Sequence, residues 1–172
     1  MKAGVGTASM DIGGGIIIGA LVAVNAWGDV IDPQTSEILA GLRSGKVGPV
    51  RVGRQEDYFA NTLAMLKSSI GRGVLGFASG ANTIIGVVAT NAKLTKAQAT
   101  KVAQMAQDGM ARTVRPAHTM FDGDVIFALS TGERKADVSI LGAFAAEVTA
   151  EAILRAVKMT SSSAGLPGIH KP

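Results

Sequence analysis

Three apolar runs of strand length constrain this chain more than anything else in it. They are "IIIGALVAVNAW" at 16–27, "TIIGVVAT" at 83–90 and "DVIFALST" at 124–131. Each is rich in β-branched residues and lacks the apolar–polar alternation of a half-buried strand. Such runs predict strands covered on both faces. The longest, "GIIIGALVAV" at 15–24, is too short to span a bilayer. The apolar content is 47%, aromatics are only 4%, and small aliphatic residues make up most of the rest. This composition suits tightly packed sheets and small-residue helix faces, not the stacking of bases on rings.

Helices are expected between and after these strands. Thr95 is a suitable N-cap for a helix over 96–113, with a stripe of Ala99, Val102, Ala103, Ala106 and Met110. Arg112 suits its C-terminal end and Pro116 stops it. Asp137 can cap a last helix to about Met159, apolar on most sides and so deeply packed. Phe59, Leu63, Leu66 and Ile70 form a further helical stripe within 55–71. "GDVIDPQTSEILAGLR" reads as two short strands around a turn at Asp32-Pro33. Residues 1–15, 44–54 and "RGVLGFASGAN" read as loops, and 160–172 as a mobile tail. The fold class is therefore α+β: a layered sandwich, sheets inside and helices outside, in a single partial domain over 1–172. Its few strands imply that part of the sheet is lacking.

Charge and composition remove several functions. The net charge is +4, but the basic residues are scattered, which argues against nucleic acid as a partner. With no cysteine there is neither a disulfide framework nor a thiol nucleophile, and two histidines are too few for a histidine-rich metal site. No metal or organic cofactor is implied. The N-terminus is a poor signal peptide, so a soluble, cytoplasmic protein without membrane association is expected. Gly13-Gly14-Gly15 lead into a strand and lack a following Gly-Lys-Ser/Thr, so close backbone packing is expected there rather than a phosphate loop. His118 has no identifiable partner and reads as structural or surface.

The chemistry-bearing residues lie in three places. Asp122 and Asp124 are two apart in "FDGD". On a strand they share a face, where mutual repulsion raises one pKa. An Asp-Gly turn is the commoner reading of the same residues. Asn25, near the end of its strand, is a turn former or a positioned amide donor for an oxyanion. Thr83 directly follows Asn82. A threonine hydroxyl is a poor nucleophile without a base. If the Asn82–Thr83 bond breaks, the freed α-amine of Thr83, with a pKa of about 8, can serve as that base. Strain in the "SGAN" turn would favour the cut.

The stretches "GVGTASMDIGGG", "GALVAVNAWGDVID" and "ANTIIGVVATNAKLTKAQATKVAQMAQDGMARTVRPAHTMFDGDVIFALSTG" together resemble the C-terminal half of the DmpA-like aminopeptidases. That family includes β-peptidyl aminopeptidases and nylon-oligomer hydrolases. The resemblance implies an αββα sandwich and autocleavage into 1–82 and 83–172, with Thr83 as the N-terminal nucleophile. It also implies that Asp122 and Asp124 orient the nucleophile and that Asn25 holds the oxyanion. The Thr-plus-two-Asp version is closer to the nylon-oligomer branch. Family members carry further strands, a tyrosine and a lysine before the "GVGTAS" motif. Tyr58 does not match that tyrosine. The chain is thus expected to be a fragment, a truncated product, or one of two chains that complete a fold. The implied function is a self-processing aminopeptidase or amidase acting on short peptides, β-peptides, amino amides or other linear amides. It would form a homo-oligomer, with or without a chain supplying the absent half. The competing reading is an inactive fragment that acts as an assembly or binding partner.

Overall fold

The structure is a computed structural model describing residues 2–47, 50–77 and 82–170. Its centre is a four-stranded sheet of β1 (Val5–Asp11), β2 (Ile17–Asn25), β7 (Thr83–Ala92) and β9 (Val125–Arg134), in that spatial order. β1–β2 and β2–β7 are antiparallel, and β7–β9 is parallel. The parallel pair needs a crossover, which α3 (Lys96–Thr113) supplies. Beside the sheet, β3 (Asp29–Ile31) pairs with β4 (Ile38–Ala40) on one side and β8 (Val114–Arg115) on the other. β5 (Gly45–Val47) and β6 (Val50–Val52) form a separate hairpin. Helices α1 (Thr62–Leu66) and α2 (Ser69–Phe77) precede β7, and α4 (Val138–Lys158) follows β9.

The two long helices begin where their caps require. Thr95 Oγ1 accepts from Gln98 N at 3.3 Å while the Gln98 side chain accepts from Thr95 N at 2.9 Å, a reciprocal capping box. Asp137 accepts from the main chain of Ser139 and Ile140 at 2.8 and 3.0 Å. Both helices lie on one face of the sheet. Their apolar sides, including Val102, Met110, Leu141 and Ile153, form one core with Ile18, Val22, Ile84 and Val88. The helices cross closely because their contact is built of small residues. A β-carbon added at Gly109 would lie 2.2 Å from Ala146 O, which a well-packed interior cannot absorb without moving a helix.

The opposite face of the sheet corrects the sequence reading. β2 alternates between exposed or half-exposed and fully buried positions along its whole length. Ile17 and Leu21 are 50% and 47% exposed, and Ile85 and Phe127 are 54% and 57% exposed. The apolar runs are therefore not covered on both faces among the described residues. One layer of helices packs on one layer of sheet, an incomplete form of the expected sandwich.

Local expectations divide in the same way. The 96–113 helix, the Asp137-capped helix, the three apolar strands and the β3–β4 pair are present. Residues 1–15 are not all loop: β1 lies there, since its small side chains allow close approach to α4. Gly13, Gly14 and Gly15 are not packed closely against a neighbouring backbone. All three have positive φ and make the turn between β1 and β2. The 44–54 segment holds the β5–β6 hairpin. The 55–71 stripe starts only at Thr62, behind the N-cap Asn61, and is interrupted at Lys67. α2 then runs on to Phe77, into the segment read as loop. Residues 78–81, including most of the "SGAN" turn, fall outside the described residues. Residues 160–170, expected as a tail, are joined to the N-terminal segment by Lys2 N, which donates to Pro167 O at 3.1 Å, and are bonded internally by His170 N to Thr160 O at 3.2 Å.

Candidate active site

The antiparallel register sets Asn25 directly across from Thr83. With a two-residue period, both belong to the open face, together with Ala23, Leu21, Ile85 and Val87. The proposed oxyanion donor and the proposed nucleophile thus meet because two apolar runs pair in one register.

The parallel pairing of β7 and β9 brings the other residues to the same place. Asn82 bridges Asp122. In this bridge Gly123 N donates to Asn82 O at 3.3 Å. Thr83 Oγ1 lies 2.5 Å from the same oxygen, to which it donates. The carbonyl of the Asn82–Thr83 bond is thus held between a main-chain N–H and the hydroxyl that would attack it. A β-carbon at Gly123 would come within 3.1 Å of Thr83 Oγ1, so the absence of a side chain leaves the hydroxyl its space.

The two aspartates carry different tasks. Asp122 Oδ1 accepts from Trp27 N at 3.2 Å, and its Oδ2 accepts from Thr119 Oγ1 at 2.9 Å. It ties the end of β2 to the loop before β9. Asp124 Oδ1 accepts from Ile84 N at 2.8 Å, one residue beyond the nucleophile. Its Oδ2 is buried without a hydrogen-bond partner among the described residues. Burial, first, and the Asp122 charge raise the Asp124 carboxyl above its ordinary value; the Ile84 N–H and the His118 charge and main chain oppose this. One member of a close carboxylate pair therefore has a raised pKa, as their spacing suggests, with burial the larger cause.

Several residues that border the site were not singled out from the sequence. His118, read as structural or surface, adopts φ 56° and lies near Asp124. Thr119 and Trp27 hold Asp122, and Trp27 stacks on Phe121 with ring centres 5.1 Å apart. Only "VNAW", placing an aromatic after the asparagine, hinted at this. A cavity of about 340 Å³ adjoins the site, with Asn25, Asn82, Trp27 and Lys2 among its lining. Thr83 and the two aspartates are not in that lining. Among the described residues no cluster of His, Cys, Asp or Glu has metal-binding geometry.

The fold is first of all one of the N-terminal-nucleophile hydrolase type. It superposes on the L-aminopeptidase D-Ala-esterase/amidase of Ochrobactrum anthropi, described as a variant of that fold, with a TM-score of 0.53 at 21% identity. That match covers 91% of this chain and 40% of the other. A Burkholderia sp. beta-aminopeptidase matches with a TM-score of 0.56 at 25% identity, over 98% of this chain and 46% of the other. The model of peptidase family S58 matches residues 1–170, and the chain belongs to that family. An uncharacterized aminopeptidase of Mycobacterium leprae is 38% identical over 97% of this chain and 47% of its own length. A 6-aminohexanoate-oligomer endohydrolase of Kocuria sp. is 31% identical over 45% of this chain and 25% of its own. The chain spans about half the length of the mycobacterial relatives it matches.

Proposed function

We propose that this chain is the processing and catalytic portion of an amide hydrolase that cuts itself between Asn82 and Thr83. The observation that carries the reading is the Asn82 carbonyl, bonded by Gly123 N with the Thr83 hydroxyl 2.5 Å from its oxygen. Thr83 Oγ1 attacks the Asn82 carbonyl carbon and passes its proton to the departing Thr83 nitrogen. The acyl group moves from nitrogen to oxygen, and the C–N bond breaks. Water then hydrolyses the ester, leaving a carboxylate on Asn82 and a free amine and hydroxyl on Thr83. Gly123 N–H supports the negative charge that develops on the carbonyl oxygen.

In turnover the freed amine takes the Thr83 hydroxyl proton as the oxygen attacks a substrate amide. Asn25, across the strand pair, supports the oxyanion. Asp124 fixes the start of β7 through Ile84 N, while Asp122 helps raise the Asp124 carboxyl by charge repulsion and holds the Trp27 main chain and the Thr119 hydroxyl by one hydrogen bond each. The leaving amine departs with a proton, and water releases the acyl group. Substrates are short peptides or linear amides, in line with the aminopeptidase and 6-aminohexanoate-oligomer hydrolase relatives. The open apolar face of the sheet supports assembly, either between copies or with further polypeptide.

Intact-mass measurement tests the cut. Pieces corresponding to 1–82 and 83–172 are expected, and Thr83→Ala should abolish them. An uncut wild-type chain that also lacks amidase activity when mixed with the N-terminal portion of a longer relative would overturn the reading. It would leave the chain as a binding or assembly partner.

A further inference from the structure

Asn25 and Gly123 approach Thr83 from different strands, with β7 between them. The β2–β7 register sets Asn25 opposite Thr83. The β7–β9 register, continued through the Asn82–Asp122 bridge, sets Gly123 opposite Thr83 on the other flank. With strands about 4.8 Å apart, Asn25 and Gly123 stand about 10 Å apart across the nucleophile. Further along the sheet the main chain of β7 fixes this spacing. At Thr83 that strand begins, and the row is spanned through Asn82, whose carbonyl accepts from Gly123 N at 3.3 Å. On the hydrolase reading, the cut gives Asn82 a free end and removes it from β7. A joint that depends on Asn82 is thus weakened when the nucleophile is freed.

Trp27 supplies a joint that does not depend on Asn82. It lies just after Asn25 in the chain, and Phe121 lies just before Gly123. Trp27 N donates to Asp122 Oδ1 at 3.2 Å. The Trp27 ring stacks on Phe121, with centres 5.1 Å apart and planes 28° from parallel. The Phe121 side is itself fixed. Phe121 N donates to Thr119 Oγ1 at 3.2 Å, and that hydroxyl donates to Asp122 Oδ2 at 2.9 Å. Phe121 is 51% exposed and lies outside the buried core, so its ring is not part of general packing. The β3–β8 pair, at Asp29 and Arg115, also joins the two sides, but further along both chains. We infer that Phe121 is a positioning residue for turnover: its stack on Trp27 holds Asn25 and Gly123 at their separation once the Asn82–Thr83 bond is cut. The inference rests on the hydrolase reading. Before the cut Asn82 shares the task, and after it the ring pair carries more. A substrate oxyanion must meet donors placed in advance, so a change in their separation lowers kcat.

Phe121→Leu in the full chain removes the ring and keeps an apolar side chain. Its self-cleavage, followed by intact mass, should run close to the wild-type rate. Once cut, it should hydrolyse an aminoacyl p-nitroanilide with kcat lowered about fivefold, the size of one aromatic pair contact. KM should be unchanged, as for an interaction that acts only in the transition state. Phe121→Tyr keeps the stack and should restore kcat. Slowing of the cut as large as that of turnover would mark a merely structural role and overturn the inference. So would a rise in KM with kcat unchanged, or a tyrosine variant no better than the leucine one. A readout without catalysis separates this inference from the hydrolase reading. In the uncut Thr83→Ala chain, Phe121→Leu should speed hydrogen exchange at the Trp27 main-chain N–H about fivefold, while the amides of Ile18 and Val88 stay unmoved. Unchanged Trp27 exchange overturns the ring clamp whether or not the wild-type chain cuts itself. A wild-type chain that neither cuts nor hydrolyses, with Trp27 exchange still following Phe121, defeats the hydrolase reading and leaves the clamp standing.

Discussion

The two faces of the central sheet are written in nearly the same residues and do different things. Ile18, Val22, Ile84 and Val88 are buried against α3 and α4, while Ile17, Leu21, Ile85 and Phe127 stand half open on the other side. Ile17 and Ile18, Leu21 and Val22, and Ile84 and Ile85 are each adjacent in the chain. One face holds the molecule together. The other carries Thr83 and Asn25 at its edge and has no helical cover among the described residues. Apolar character thus says that a face is to be covered, not what covers it.

Truncation of the covered face should have the largest effect on stability. Ile84→Ala removes a fully buried side chain and is expected to cost about 2–5 kcal/mol, read by chemical denaturation. Little or no loss would mean that the helix layer is looser than drawn. Gly109→Ala comes next, at about 1–3 kcal/mol, because its β-carbon would meet Ala146 O. That variant tests the helix crossing independently of the sheet. On the open face Leu21→Thr should change stability by only about 0.5 kcal/mol, yet reduce self-association in sedimentation experiments. A loss as large as that of Ile84→Ala would show the faces to be equivalent and break the contrast.

The smallest expected effect is on pH dependence. The Asp124 pKa is raised in the folded chain above the 3.8 of an ordinary aspartate. Between that value and the folded pKa the native state binds the extra proton. The contribution of this group to stability is therefore fullest below 3.8 and is lost as pH rises through the folded pKa. Asp124→Asn should remove part of this slope in thermal unfolding followed across the acid range. An unchanged slope would assign it to Asp29, whose carboxyl burial also pushes up while Thr62 N, Thr62 Oγ1 and the Leu42 main chain bond it.

Legibility in the sequence followed the range of the interaction. The caps at Thr95 and Asp137 act over three residues or fewer, and both were readable. The short β5–β6 hairpin and the left-handed glycine turn at 13–15 were missed, because their composition is that of any polar loop. At the site, Thr83, Asn82, Asn25 and the Asp122/Asp124 pair stood out through residue type and family resemblance. Trp27 and Gly123 did not, since each acts through a contact with a residue distant in the chain, and Thr119 and His118 did not, since their reach to the aspartates depends on the conformation of the loop between them.

The sequence by itself determined the three long apolar strands, α3 and α4 and the capped starts of both helices, because strand runs, helix stripes and caps are local and periodic. It also determined which side chains carry reactive groups. Tertiary structure decided which face of each strand is covered, since that depends on where α3 and α4 pack. It decided too that Asn25 faces Thr83 and that Gly123 N meets the Asn82 carbonyl. Those are matters of strand register, and register is set by pairing across the sheet rather than by any one strand.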